Sequence, residues 1–343
     1  MNTHDYKAVK NLLESPKKIV VIPHRNPDGD AIGACLAMQH YLQRKNHKVT
    51  VVSPNELPSF LMWIPAANEI LKFDKQNRQS KKAIQEAELI FLLDFNALNR
   101  VGDDMQNTLN DFKGIYLMID HHLQPEFFAT YTFSDISYCA TCEMVYDFID
   151  QLGDKDLIDK TIATCIYTGI MTDTGNFRFP ATKPRTHQIV AKLMEKGADN
   201  AFIYTNVFDS NTYQNLQLLG FALTKLQIIP KANTAFFALS KNDLKVFDYQ
   251  KGDTEGIVNY GLSIKGVYLA AIFIEDEDQG IIKISFRSKG TFSVNNFARN
   301  YFDGGGHQNA AGARSTLSLE ETIDKFVELV NMYKNEISKS YDN

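Results

Sequence analysis

The chain is poor in cysteine, has no surplus of positive charge and contains no long apolar run. Its four cysteines, Cys35, Cys139, Cys142 and Cys165, are too few and too scattered over 343 residues for a disulfide framework. Cys139-Ala-Thr-Cys142 has redox or zinc spacing but no partner pair, so small buried thiols are expected there. A net charge of −5 argues against a broad electrostatic grip on long nucleic acid, which needs a basic face. A short phosphate site made by a few Arg, His and Lys residues stays open. No uninterrupted run nears the roughly 20 apolar residues of a membrane span. Met1 to Lys7 lacks the apolar core of a secretory signal, so a cytoplasmic location without membrane contact is expected. No repeat of 20–50 residues and no low-complexity tract is visible.

At 343 residues the chain exceeds the usual ceiling of about 250–300 for a single core, so two domains are expected. Hydrophobic content of 44% and charged content of 22% are ordinary for a globular protein. Short apolar runs (Lys18–Ile22, Lys48–Val52, Glu88–Leu93, Gly114–Ile119) alternate with helical patterns at Ala31–Leu42, Thr141–Leu152 and Asp159–Met171. That alternation predicts an α/β domain with a mainly parallel sheet flanked by helices, over residues 1–185. Residues 186–229 read as a helical connector. Strand-like runs at 234–239, 267–274 and 280–287 and a last helix over 319–337 predict a smaller α/β domain with a mixed sheet, 230–343, and a cleft between the two. The acidic run Glu275–Asp278 reads as a solvated hairpin turn.

Asp120-His121-His122 follows one of the buried runs. His24-Arg25-Asn26-Pro27-Asp28-Gly29-Asp30 and the isolated Asp94 follow two others, and Asp173 ends a helical pattern in Thr172-Asp173-Thr174-Gly175. Open α/β sheets bind ligands at the carboxyl ends of their strands. His24, Asp28, Asp30, Asp94, His121 and Asp173 therefore supply four carboxylates and two imidazoles to one edge, a donor set suited to two divalent ions. Gly29 is expected to let the turn fold tightly enough for Asp28 and Asp30 to face different ions. Asp94 is the natural bridge.

These motifs resemble those of the DHH phosphoesterase family, and the resemblance runs over nearly the whole chain. It implies a dimanganese site, one ion held by His24, Asp28 and Asp94, the other by Asp30, Asp94, His121 and Asp173. It also implies that Asp120 orients His121 or His122, and that His122 touches the scissile phosphate.

Asp303-Gly304-Gly305-Gly306-His307, before an alanine-rich stretch, predicts a loop that presents bare backbone N–H groups at a helix N-terminus. It resembles the GGGH motif of the DHH-associated C-terminal domain, and Thr254–Asn259 resembles a further stretch of that domain. With Arg287, whose guanidinium can grip a phosphate bidentately, Gly304, Gly305, Gly306 and His307 make up the expected substrate pocket. Arg100, six residues after Asp94, is a further substrate candidate.

Within the family the chain is most similar to the bacterial nanoRNase/pAp-phosphatase group. The implied reaction is hydrolysis of short RNA oligonucleotides to mononucleotides, and of 3′-phosphoadenosine 5′-phosphate (pAp) to AMP, by a metal-activated water. The alternative at the same site is a linear-dinucleotide or cyclic di-AMP phosphodiesterase. A family-II pyrophosphatase would crowd Arg and Lys around a small anion, a single-strand exonuclease would be longer and more basic, and a non-catalytic binding module would have lost a ligand. The reading leaves room for a homodimer.

Overall fold

The computed structural model describes residues 3–250, 252–277 and 279–341. They form two compact units, Met1–Ser210 and Asn211–Asn343.

The first unit is a parallel sheet of six strands: β1 (Lys18–Ile22), β2 (Lys48–Ser53), β3 (Leu71–Lys72), β4 (Leu89–Leu93), β5 (Ile115–Asp120) and β6 (Tyr131–Ser134). They lie in the order β3-β2-β1-β4-β5-β6. Successive side chains alternate between faces. Leu89, Phe91 and Leu93 therefore enter a core with α2 (Gly29–Arg44), α5 (Thr141–Gln151) and α6 (Lys160–Asp173). Ile90 and Leu92 enter a second core with α3 (Asn77–Glu86) and α4 (Asp103–Asn110). Both faces are covered, which is why β4 reads as a continuous apolar run. The helix α1 (Thr3–Leu12) and the pair α7 (Pro184–Glu195) and α8 (Asn200–Phe208) complete the unit. Strand order reverses between β1 and β4, the switch point where such sheets bind ligands.

The second unit is a mixed six-stranded sheet: β7 (Gln227–Ile229), β8 (Thr234–Leu239), β9 (Leu269–Asp276), β10 (Ile281–Ser288), β11 (Asp303–His307) and β12 (Ala310–Ser315). The order is β11-β12-β10-β9-β8-β7; only β8 and β9 run parallel among the described pairs. Its helices are α9 (Tyr213–Thr224), α10 (Lys241–Val246), α11 (Ile257–Ser263), α12 (Val294–Tyr301), α13 (Leu319–Met332) and α14 (Lys334–Lys339). No helix among the described residues is long and apolar enough to cross a membrane.

Three expectations need correction or restatement. The residues expected as a connector, 186–229, are divided: α7 and α8 belong to the first unit, α9 and β7 to the second. The last helix breaks at Tyr333, whose hydroxyl bonds that of Tyr301 at 2.7 Å and whose ring packs on Phe292 and Phe297. The triple glycine is not a loop leading into a helix. It is the edge strand β11, hairpin partner of β12, and the alanines that follow are strand residues. The reason is steric: a Cβ on Gly304 would lie 2.3 Å from the Gly312 carbonyl oxygen. In the β9–β10 hairpin Glu277 pairs with Lys241 and Lys245; Asp278 lies outside the described residues.

Candidate metal centre at the edge of the parallel sheet

Strands β1, β4 and β5 end side by side, and each delivers ligand-type side chains. Asp94 is the first residue past β4 and is nearly fully buried. It takes a left-handed backbone (φ 68°) in which its N–H still donates to the Ile119 carbonyl at 3.1 Å. Such a backbone is uncommon outside glycine and most tolerable for Asp and Asn. The turn divides the two carboxylate oxygens. Oδ2 lies 3.5 Å from His24 Nε2, while Oδ1 lies 3.6 Å from His121 Nε2 and accepts the Thr141 hydroxyl at 2.8 Å.

Each imidazole is oriented from behind, which decides the nitrogen it presents. His24 Nδ1 sits 2.9 Å from the Arg25 carbonyl, to which it donates, so Nε2 faces Asp94. His121 Nδ1 sits 3.3 Å from the Tyr138 carbonyl; its Nε2 lies 3.4 Å from Asp173 and 3.8 Å from Asp30. Asp120, the last residue of β5, accepts from His122 Nδ1 at 2.7 Å and from the His122 backbone N–H at 2.9 Å. Of the two histidines that Asp120 was expected to orient, the geometry selects His122.

The remaining carboxylates come from helix ends. Asp28 caps α2, its Oδ1 accepting the N–H groups of Asp30 and Ala31 at 3.0 Å each. Asp30 points across to the start of α5. There it accepts the N–H of Thr141 at 2.6 Å and of Cys142 at 2.8 Å. The residue before α5 is Ala140, which has no capping side chain, so Asp30 supplies the missing cap from another helix. Gly29 has no left-handed backbone; the first turn of α2 needs a glycine because a Cβ would lie 2.4 Å from Thr172 Oγ1. The expectation of a glycine-folded turn is replaced by one of close helix packing.

His24, Asp28 and Asp94 can bring one ligand atom each within 4.8 Å of one another, and so can Asp30, Asp94 and His121. Asp173, at the C-terminal end of α6, closes on the second group through His121. Among the predicted residues of the first unit, Arg100 follows Asp94 on a short 3₁₀ turn, and its backbone carbonyl accepts the Arg25 N–H at 2.8 Å. Thr141, Asn96 and the Tyr138 carbonyl were not foreseen. Only the uncapped Ala140–Thr141 start of α5 was a signal in the sequence. Asn96 ties the chain after Asp120-His121-His122 to the site, its Nδ2 donating to the carbonyls of His122 and Leu123 at 3.1 Å each.

The cluster crowds buried carboxylates against imidazoles, and each perturbs the others. Burial pushes Asp30 well above the ordinary carboxylate range, with Asp94 and Asp173 adding to the effect. Burial, aided by Asp28 and Asp94, raises Asp173 to about 7. Burial would raise Asp94 too, but His24, His122 and His121 outweigh it and hold Asp94 well below that range. Burial opposes the protonated imidazole of His121, yet Asp173, Asp94 and Asp30 lift it to about 9. Oxygen and imidazole donors crowded at this cost fit divalent cations.

A pH dependence follows for protein stripped of metal. A raised Asp binds more protons folded than unfolded between its ordinary pKa and its folded one, so Asp173 weakens the fold as pH rises from about 4 towards 7, and Asp30 acts in the same direction. The contribution of His121 is full below its ordinary value and is lost as pH rises through about 9. Both act in one direction, while Asp94 acts only below about pH 4. Thermal unfolding should therefore shift to lower temperature from pH 5 to pH 9, and Asp173→Asn should flatten the slope. A slope that Asp173→Asn leaves unchanged would contradict the crowding.

In the second unit Arg287 pairs with Ala310, and Ala310 pairs with His307, in one cross-strand row. Residues in such a row share a face of the sheet, so Arg287 and His307 emerge together, two strands or about 10 Å apart. Arg287 Nη1 also donates to the Phe286 carbonyl at 3.0 Å. Gly304, Gly305 and Gly306 lead along β11 to His307. Gly306 N–H is held by Asn295 Oδ1 at 3.1 Å. Thr254–Asn259 leads into α11 through Gly256.

Comparison with known proteins agrees with this architecture. The chain is 28% identical to the probable bifunctional oligoribonuclease and PAP phosphatase NrnA of Streptococcus mutans, covering 96% of this chain and 99% of that one. It is 29% identical to the bifunctional oligoribonuclease and PAP phosphatase NrnA of Thermus thermophilus, covering 94% and 91%. Among solved structures, an exopolyphosphatase-related protein from Bacteroides fragilis superposes with a TM-score of 0.93 at 38% identity, over 98% of each chain. Residues 18–170 match the DHH family, N-terminal domain, and residues 240–336 the DHHA1 domain; the chain belongs to the DHH family.

Proposed function

We propose that this protein is a metal-dependent phosphoesterase that hydrolyses short oligoribonucleotides to mononucleotides and converts pAp to AMP. The observation that carries the reading is the convergence of Asp28, Asp30, Asp94 and Asp173 with His24 and His121 at the switch point of the sheet. His24, Asp28 and Asp94 would hold one divalent ion, and Asp30, Asp94, His121 and Asp173 a second. The mixture of carboxylate and imidazole suits manganese. When bound, such a pair supplies a nucleophile at neutral pH and neutralises charge gathering on the phosphoryl oxygens.

The chain's own groups do the rest. Asp120 fixes the His122 ring through Nδ1, so Nε2 is the nitrogen available to a phosphate oxygen. Thr141 steadies Asp94, and the α5 N–H groups steady Asp30, so neither carboxylate has to reorganise during reaction. Arg287 and His307, on one face of the second unit's sheet, supply further substrate-binding groups. The four cysteines are unpaired and buried, as suits a reducing cytoplasm.

The direct test supplies Mn²⁺ and compares a 5′-phosphorylated RNA dinucleotide, an RNA five-mer, pAp, cyclic di-AMP and pyrophosphate. Mononucleotide release from the two RNAs, with phosphate release from pAp, is expected; turnover confined to cyclic di-AMP or pyrophosphate would replace the reading. Arg287→Ala should raise KM for the dinucleotide by about tenfold or more, the equivalent of a lost charge-assisted hydrogen bond, and leave metal content unchanged. A loss of metal would remove Arg287 from the substrate pocket.

A further inference from the structure

Immediately after Asp173 the chain makes an unusual turn. Gly175, Asn176 and Phe177 all take left-handed backbone, with φ of 56°, 60° and 65°. Glycine does this freely and asparagine tolerably, but a phenylalanine there is a true outlier. Strain of this kind persists where surrounding bonds enforce it, and it gathers at ligand sites. Here the Asn176 N–H donates to the Met171 carbonyl at 2.8 Å, the Phe177 N–H to Thr174 Oγ1 at 3.0 Å, and the Arg178 and Phe179 N–H groups to the Thr174 carbonyl at 3.1 and 3.0 Å.

The turn aims two side chains. Phe177 is set against Tyr167, ring centroids 5.9 Å apart and nearly perpendicular, and against His187 at 5.7 Å. Tyr167, packed on Phe177, forms one wall of a cavity of about 310 Å³ between α6 and α8. Asn176 lies on the same cavity, with Met171 beside it; Asn200, Tyr204 and Thr205 of α8 line the other side. Tyr204 is braced by Phe208, centroids 5.0 Å apart, and is 38% exposed.

These walls have a definite chemistry. Two tyrosines and a methionine offer flat and polarisable surface. Two side-chain amides and a hydroxyl offer donors and acceptors, and no charged side chain lines the cavity. That combination matches a nucleobase, an uncharged aromatic ring with hydrogen-bonding edges, and would repel neither its faces nor its edges. It does not match a phosphate, which calls for cations.

We propose that this cavity is a nucleobase subsite, in which Tyr204 and Tyr167 contact the ring and Asn176 and Asn200 read its edge. The base would belong to a nucleotide whose phosphate lies by Asp173, three residues before Asn176 in the chain. The assignment rests on the phosphoesterase reading for the identity of the ligand. It adds a specificity element supplied by the catalytic unit itself, independent of Arg287 and His307.

The test uses the full-length protein with Mn²⁺ and two chromogenic esters, thymidine 5′-(p-nitrophenyl phosphate) and bis(p-nitrophenyl) phosphate, which carries no base. Tyr204→Ala should lower kcat/KM for the thymidine ester about tenfold, the loss of one base–aromatic stack, and leave the base-free ester unchanged. Tyr204→Phe should restore it. Asn176→Gly removes the amide without adding backbone strain, because glycine accepts the same φ, and should relax discrimination between bases. Equal losses on both esters, or none on either, would overturn the subsite. Binding of 1,N⁶-ethenoadenosine monophosphate, followed by its fluorescence, reads the same cavity without turnover. It should weaken about tenfold in Tyr204→Ala and recover in Tyr204→Phe, and an unchanged affinity would also overturn the proposal. Wild-type protein that binds this probe but cleaves neither ester, nor the RNA dinucleotide, nor pAp, would sink the phosphoesterase reading and leave the subsite standing.

Discussion

Asp94→Asn should leave a folded protein that has lost at least about 10³-fold in turnover, together with most of its affinity for divalent metal. The substitution is chosen for the backbone. Asparagine tolerates the left-handed conformation at φ 68° almost as well as aspartate, whereas alanine would add strain. It keeps the shape and an acceptor for the Thr141 hydroxyl, and removes only the charge on which His24 and His121 converge. Metal content measured by mass spectrometry, circular dichroism and steady-state rates would be read together. A variant with near-normal activity would end the assignment of Asp94 as the shared ligand. A variant that lost its fold would show that the charge is structural first.

Gly169→Ala should be nearly as damaging, although Gly169 is not a ligand. It lies on α6 where that helix meets α2 and α5, and a Cβ there would sit 2.2 Å from Cys142 Sγ and 2.8 Å from Asp30 Oδ1. Overpacking of this kind costs about 1–3 kcal/mol. A displacement of about 1 Å in a reacting group can cost on the order of 10²-fold in rate. We therefore expect a lower melting temperature and about a hundredfold lower kcat. The double variant Gly169→Ala/Cys142→Ala separates the two effects, because it removes the sulfur contact and leaves those to Asp30 Oδ1 and, at 2.9 Å, to the Cβ of residue 142. Stability should return in part while activity does not. Recovery of both would mean that the displaced group is Cys142 alone.

The parallel sheet was legible because each of its main strands carries its own signal. Ile19–Ile22 and Leu89–Leu93 are apolar on both faces, and each leads to a polar residue at the sheet edge, His24 one residue beyond Pro23 and Asp94 directly. The ligand-type residues were legible for the same reason: Asp94 and Asp120 stand where such runs stop. What could not be read was anything that depends on packing between distant segments. Gly304–Gly306 looks like a flexible loop until β12 is seen against it, and Gly29 looks like a turn former until Thr172 is seen above it. Thr141 and the Tyr138 carbonyl act on the site through hydrogen bonds that no local pattern announces. The break at Tyr333 falls within an unbroken helical pattern and is set by aromatic neighbours far away in the chain.

Asp28 and Asp30 hold two helix ends while belonging to the proposed ligand cluster, and this double employment constrains how the protein can change. Many active sites can decay without harm to the scaffold, since their residues are spare parts as far as folding is concerned. Here a descendant that abandoned catalysis would still need an acceptor side chain at position 30 to cap the start of α5 and one at position 28 to cap the start of α2. Drift at these two positions is thus blocked twice, once by chemistry and once by architecture. A silent relative that has outlived its activity should be recognised by changes at Asp94, His121 or Asp173 while both helix caps remain.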